Sequence, residues 1–310
     1  MAQNKKNKQF FNLLTIFQEF LSNFHVPHEW QDKNNFTIFH SNNMFGTKEI
    51  LYQIQSVDSE SRTFASTETD ITYKLNKFGF RSDNFENLNS EYINVITAGC
   101  SNTFGHEMPN EIIWPRLLER RMNKNKNVKI HNLGVSGLET FRIIRNCYSF
   151  VENYGKPDYI FLLLPPVQRF LVLDKKHNFL SVKQDPVFTR SIDEISKTFF
   201  KKKSQLSSNV INNILVLKNF ESFCKINNIK LLWFCWDRNS QKIYEFLNFN
   251  NLIKTETIEH NINNITINFA NENHKYWDWA ADGDHQGLKF HMSWSDIFYN
   301  ELKDNDNTRD

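Results

Sequence analysis

Ser101 stands in the stretch AGCSNTFG, residues 98 to 105, directly after the apolar run INVIT. A serine among small residues, between a buried strand and a helix, has its hydroxyl at the open end of a sheet and its amide near a helix N-terminus, where a nucleophile is useful. The same position suits a plain turn or N-cap serine, and the stretch alone leaves both readings open. Near the other end of the chain, WAADGDHQGLKFH sets Asp282 and His285 three residues apart in a loop ahead of the last helix. There the carboxylate can orient the imidazole, and the imidazole can face the sheet end as a base. A histidine on a loop is most often only solvated. An Asp-x-x-His loop joined to a strand-end serine fills the three roles of nucleophile, base and orienter.

Positioning such a set needs a sheet, and from residue 92 the chain supplies one. YINVITAG, VKIHNLG, PDYIFLLLP and IKLLWFCW read as buried strands. Between and after them, NEIIWPRLLERRM (with Pro115 near its first turn), LETFRIIRNCYSFVENYG (with Gly155 as its cap), SSNVINNILVLKNFESFCKINN and GLKFHMSWSDIFYNELKD read as helices. Strands that are apolar throughout and alternate with helices predict a parallel, doubly wound α/β sheet covered on both faces. Ligands of that class bind beyond the carboxyl ends of the strands, where Ser101 falls. Residues 1–90 are expected to form a helix and an irregular strand-containing lobe, 91–303 the α/β domain, and 304–310 a frayed polar tail. Residues 165–206 read as an excursion able to form a lid or pocket wall.

Composition narrows the partners. A hydrophobic share of 40% is ample for a large core, and a net charge of +2 leaves no field for nucleic acid. Phe11, Leu14, Phe17, Leu21 and Phe24 recur at helical spacing, so the N-terminus reads as an amphipathic helix docked on the body or on a partner. No apolar run approaches the roughly 20 residues of a membrane span. Cys100, Cys147, Cys224 and Cys235 are dispersed, with neither zinc spacing nor a disulfide framework, which fits a reducing, cytoplasmic compartment. His274, His291, Trp277, Trp279 and Trp294 lack metal-ligand spacing and read as packing or pocket wall. No cofactor and no metal is expected, and the oligomeric state is not legible.

Taken in order, these blocks resemble those of the SGNH, or GDSL-like, hydrolases. GCSNTFG stands where that family has its GDS block, NLGVSGLET matches its N-x-x-x-S-G block, and DGDHQG matches its terminal D-x-x-H followed by glycine. YKLNKFGFRSDNF is similar to an N-x-x-G-F-R lead-in of some members. The resemblance spans roughly residues 71 to 300. It implies the SGNH hydrolase fold, a flavodoxin-like doubly wound sheet, and a serine esterase or acyl hydrolase with Ser101 as nucleophile, His285 as base and Asp282 as orienter. The amides of Ser101 and Gly137 would then face the oxyanion, and no cofactor is needed. A deacetylase acting on a glycan or small ester is one form of this reading. Two departures stand out. Cys100 replaces the aspartate of GDS, and PPVQRF carries no asparagine where the third block has one. Gln168 is a candidate substitute for that donor, while Arg169 is a candidate loop anchor or partner for a substrate acid. The alternative reading is a catalytically weak or inactive member that serves as a binding module.

Overall fold

The computed structural model of the chain describes residues 24–26, 37–40, 71–124, 126–173, 179–182, 203–268, 278–281 and 285–307. Ahead of the core, β1 (Thr37–His40) and β2 (Thr72–Leu75) pair antiparallel. The four apolar runs then become β3 (Ile93–Gly99), β4 (Val128–Asn132), β5 (Tyr159–Leu164) and β8 (Lys230–Cys235), all parallel, in the order β4-β3-β5-β8. Numbered within the core alone, that order is 2-1-3-4, the flavodoxin-like doubly wound arrangement. Every residue of β5 is buried, which is why the run shows no polar alternation.

The turn after β3 is α1 (Ser101–Phe104), followed by a 3-10 turn at Asn110–Ile112 and by α2 (Trp114–Met122). NEIIWPRLLERRM is therefore two pieces rather than one helix. Pro115 has no N–H to donate and its ring would crowd the carbonyl four residues back, so the α-helix can begin only just before it. Then come α3 (Thr140–Tyr154), closed by Gly155, and, after the hairpin of β6 (Phe170–Leu173) with β7 (Phe179–Val182), α4 (Lys203–Ile226). Two helices that the sequence did not announce, α5 (Arg238–Phe246) and α6 (Thr255–Asn268), lie between β8 and the last helix, α7 (Leu288–Asn307). The last helix continues past residue 303, into the expected tail, because ELKDNDN contains neither Gly nor Pro to stop it.

Helices α2 and α7 cover one face of the sheet. Phe298 of α7 stacks on Trp114 and Phe161 at centroid distances of 5.0 and 4.8 Å and meets Phe234 at 5.3 Å. On the other face, Phe150 of α3 packs on His131 of β4 at 4.9 Å, and the Trp233 indole donates to Glu221 of α4. Phe24 joins this side, 5.1 Å from Phe80 and 5.7 Å from Phe85, while the His25 amide donates to Asn146 Oδ1. The rest of the expected N-terminal helix, the run ILYQIQSV and residues 183–202 of the excursion lie outside the described residues. Among the described residues, no helix is long and apolar enough to cross a membrane.

Candidate active site

Ser101 is the first residue of α1, where β3 ends, and is 8% exposed. One turn later Gly105 closes the helix at φ +78°, its amide donating to Ser101 O at 2.8 Å; a side chain there would run into Ile113. The His106 amide reaches the same oxygen at 3.0 Å, so residues 101 to 106 form one tight unit. Arg81, from the N-K-F-G-F-R lead-in, braces it from below. Its buried guanidinium donates to Gly105 O at 2.7 Å, Met108 O at 2.8 Å and Phe104 O at 3.3 Å. Burial lowers its pKa to about 10, which leaves it a cation at neutral pH. Asn76 shapes the turn that presents Arg81 by accepting from the Phe78 and Phe80 amides, each at 3.0 Å.

The second loop rides on this unit. Asn132, at the end of β4, donates to Thr103 O at 3.1 Å and accepts from the Gly134 amide at 2.9 Å. Gly134 lies so close to α1 that a Cβ would stand 2.4 Å from the Phe104 nitrogen, and only glycine fits there. Gly137 follows, exposed, at φ +83°. The next carbonyl, of Leu138, accepts from Arg169 Nη1 at 3.0 Å.

The last loop closes the site from the far side. The Ala280 amide donates to His285 O at 2.9 Å, the Gly287 amide to Asp278 O at 3.0 Å, and the Ala281 amide to Glu107 O at 3.0 Å. The half-buried ring of His285 lies 4.4 Å, centroid to centroid, from that of His106, tilted by 36°. His106 in turn has Nδ1 3.2 Å from Ser136 Oγ, beside Gly137. The structure thus gathers the Ser101 turn, the Gly137 loop and His285 around His106. Asp282 lies outside the described residues. The Ser101 hydroxyl donates to Cys100 Sγ at 3.9 Å, and among the described residues no hydrogen bond joins it to the His285 ring.

The remaining candidates turn toward the scaffold. Gln168 Oε1 is 3.4 Å from Ser240 Oγ, and Arg169 is 4% exposed, its Nη1 on the loop carbonyl of Leu138. Asn213 of α4 holds the backbone there through Val167 O and Arg169 O. Cys100 is fully buried and accepts from the Trp236 indole at 3.4 Å. Burial pushes its thiol up, but the Arg169 guanidinium and the Trp236 N–H outweigh that and leave it below the ordinary thiol value. Burial raises the thiols of Cys147, Cys224 and Cys235. His291 is structural: Nδ1 accepts from the Trp114 amide at 3.1 Å, and burial, with Arg81 and His285 nearby, lowers its pKa to about 3. Trp294 is buried against it and Trp279 is exposed, while His274 and Trp277 lie outside the described residues. Among the described residues no group of three His, Cys, Asp or Glu is placed to hold a metal. A broad cleft of about 1320 Å³, lined by Lys156, Lys218, Lys225 and Lys230, opens at the opposite end of the sheet, where β5 and β8 begin.

Sequence reasoning passed over His106 and Ser136. The only signal for His106 was its place five residues after Ser101, on the far side of Gly105. No protein-family model matches the chain, and no curated protein matches it. Among solved structures it is similar to the psychrotrophic esterase EstA from Pseudoalteromonas sp., at 11% identity over 69% of this chain and 99% of that one, with a TM-score of 0.39. It is also similar to TesA, at 12% identity over 68% of this chain and 98% of that one, with a TM-score of 0.41. A lipolytic protein of the G-D-S-L family from Veillonella parvula DSM 2008 matches at 13% identity over 68% and 98%, with a TM-score of 0.29. The likeness is one of chain path at low identity and says nothing about activity.

Proposed function

We propose that the chain is a serine hydrolase of the SGNH kind, acting on esters of small molecules or glycans, with Ser101 as nucleophile, His285 as base and Asp282 as orienter. The observation that carries this reading is the meeting of two distant loops. The Ala281 amide bonds Glu107 O and the His285 ring packs on His106, so a histidine from the end of the chain stands on the turn that begins with Ser101. In the reaction, Ser101 Oγ attacks the ester carbonyl and its proton passes to His285, which Asp282 orients. The alcohol leaves with that proton, and water then hydrolyses the acyl-enzyme by the same route. The amides of Ser101 and Gly137 are assigned to the oxyanion. Before attack the Ser101 hydroxyl must rotate away from Cys100 Sγ, and a 3.9 Å contact to sulfur, a weak acceptor, opposes that little.

A fluorophosphonate probe tests the proposal. Mass spectrometry is expected to find the label on Ser101 in the wild type and no label in Ser101→Ala or His285→Ala. Activity is expected to fall at low pH as His285 takes up a proton. Folded protein that stays unlabelled would favour the second reading, a binding module without turnover. That reading draws on the absence of asparagine in PPVQRF and on the Ser101 hydroxyl resting on Cys100.

A further inference from the structure

Beyond these three roles, we propose that His106 is a positioning residue of the same site: its ring, tied to Ser136, forms the wall against which the His285 imidazole is set. The inference rests on the hydrolase reading, and the test below separates the two.

Three observations converge on His106. Its backbone belongs to the Ser101 unit, since its amide donates to Ser101 O at 3.0 Å and the carbonyls of Gly105 and Met108 on either side are held by Arg81. The residue is 9% exposed, and its ring is fixed at Nδ1 by Ser136 Oγ at 3.2 Å, one residue before the glycine assigned to the oxyanion. Its ring centroid lies 4.4 Å from that of His285, with the two rings tilted by 36°. A base on a surface loop has rotamers to spare, and each nonproductive one lowers the fraction of molecules ready to react. A flat ring at van der Waals distance, itself immobilised by a hydroxyl from the second loop, removes many of them. His106 thereby links nucleophile turn, oxyanion loop and base through one side chain.

The experiment follows fluorophosphonate labelling of Ser101 in the full chain, with the maximal rate and the half-saturating probe concentration measured separately across pH. His106→Ala, which loses both the wall and the Ser136 tie, is expected to lower the maximal rate about 10 to 100-fold with half-saturation unchanged. The pH profile is expected to keep its acid limb, since His285 remains the base. His106→Phe keeps a ring but not the tie, so a smaller loss of about 3 to 10-fold is expected. Should the alanine variant fail to fold, the phenylalanine variant decides. A wild-type maximal rate in the folded variants, or a change in half-saturation alone, overturns the inference while leaving the hydrolase reading intact. An acid limb that vanishes with His106 would make His106 the base and overturn it too. Wild-type protein that does not label at Ser101 sinks both.

Discussion

Cys100 and Ser101 are neighbours with different surroundings. The thiol is fully buried, accepts from the Trp236 indole and feels the charge of Arg169, whereas Ser101 retains 8% exposure at the start of α1. A pKa below the ordinary thiol value does not make a buried sulfur accessible to an ester, so Cys100→Ala is expected to keep most hydrolysis while Ser101→Ala keeps none. Ester turnover of the two variants checks it, and a label on Cys100 would reverse the assignment. The oxyanion makes a second prediction. PPVQRF carries no asparagine for the oxyanion, the carbonyl oxygen of Gln168 accepts from Ser240, and loss of one oxyanion donor costs about 100 to 1000-fold. Turnover of simple aryl esters should therefore be slow; a kcat equal to that of an efficient esterase would reveal another donor. Arg81 supplies a third. Its fork bonds the carbonyls of Gly105 and Met108, a geometry one ammonium cannot copy. Arg81→Met should cost about 1 to 3 kcal/mol for each carbonyl left dry, read as a lower Tm, and should slow labelling of Ser101.

Among the elements, β4 and α7 each carry a histidine held neutral by its packing. His131 lies between Phe85 and Phe150, and burial, then Lys129, lowers its pKa to about 4. His291 is lowered to about 3. Both values lie below that of an unfolded histidine, about 6.5. Above that pH neither state binds the proton. As pH falls below it, the unfolded chain is protonated and the native chain is not, so stability drops until the native histidines titrate. For His131 this amounts to on the order of 3 kcal/mol. Urea midpoints measured at neutral and mildly acidic pH should therefore converge in part in His131→Phe, with the remaining slope belonging largely to His291. Unchanged slopes would show that His131 is protonated in the folded state.

At the scale of the whole molecule, Phe298 joins the last helix to the sheet. It contacts Trp114, Phe161 and Phe234, and the helix it anchors begins just after His285. Phe298→Ala should cost about 3 to 5 kcal/mol in chemical denaturation. It should also slow Ser101 labelling well below the new Tm, because the His285 loop loses its footing. A stability loss with an unchanged labelling rate would mean that the loop is held by its own bonds to residues 107 and 278.

Part of this was readable from the chain and part was not. β3, β4, β5 and β8 were legible because strands buried on both faces leave unbroken apolar runs, and α3, α4 and α7 because their lengths between turn signals were clear. Ser101 was legible as a residue type at the end of such a run, and His285 as one in the loop ahead of the last helix. α5 and α6 were missed although Asp237 caps α5, because the buried face of α5, Ser240, Gln241 and Tyr244, is mostly polar and α6 is rich in Asn, a residue that favours turns. The order β4-β3-β5-β8, the reach of Arg81 beneath residues 104 to 108 and the contact of His106 with His285 came only with the tertiary structure. Periodicity records whether a side chain is buried, but not against what. A pairing across 179 positions, from 106 to 285, exists only once the neighbouring strands have set their loops side by side.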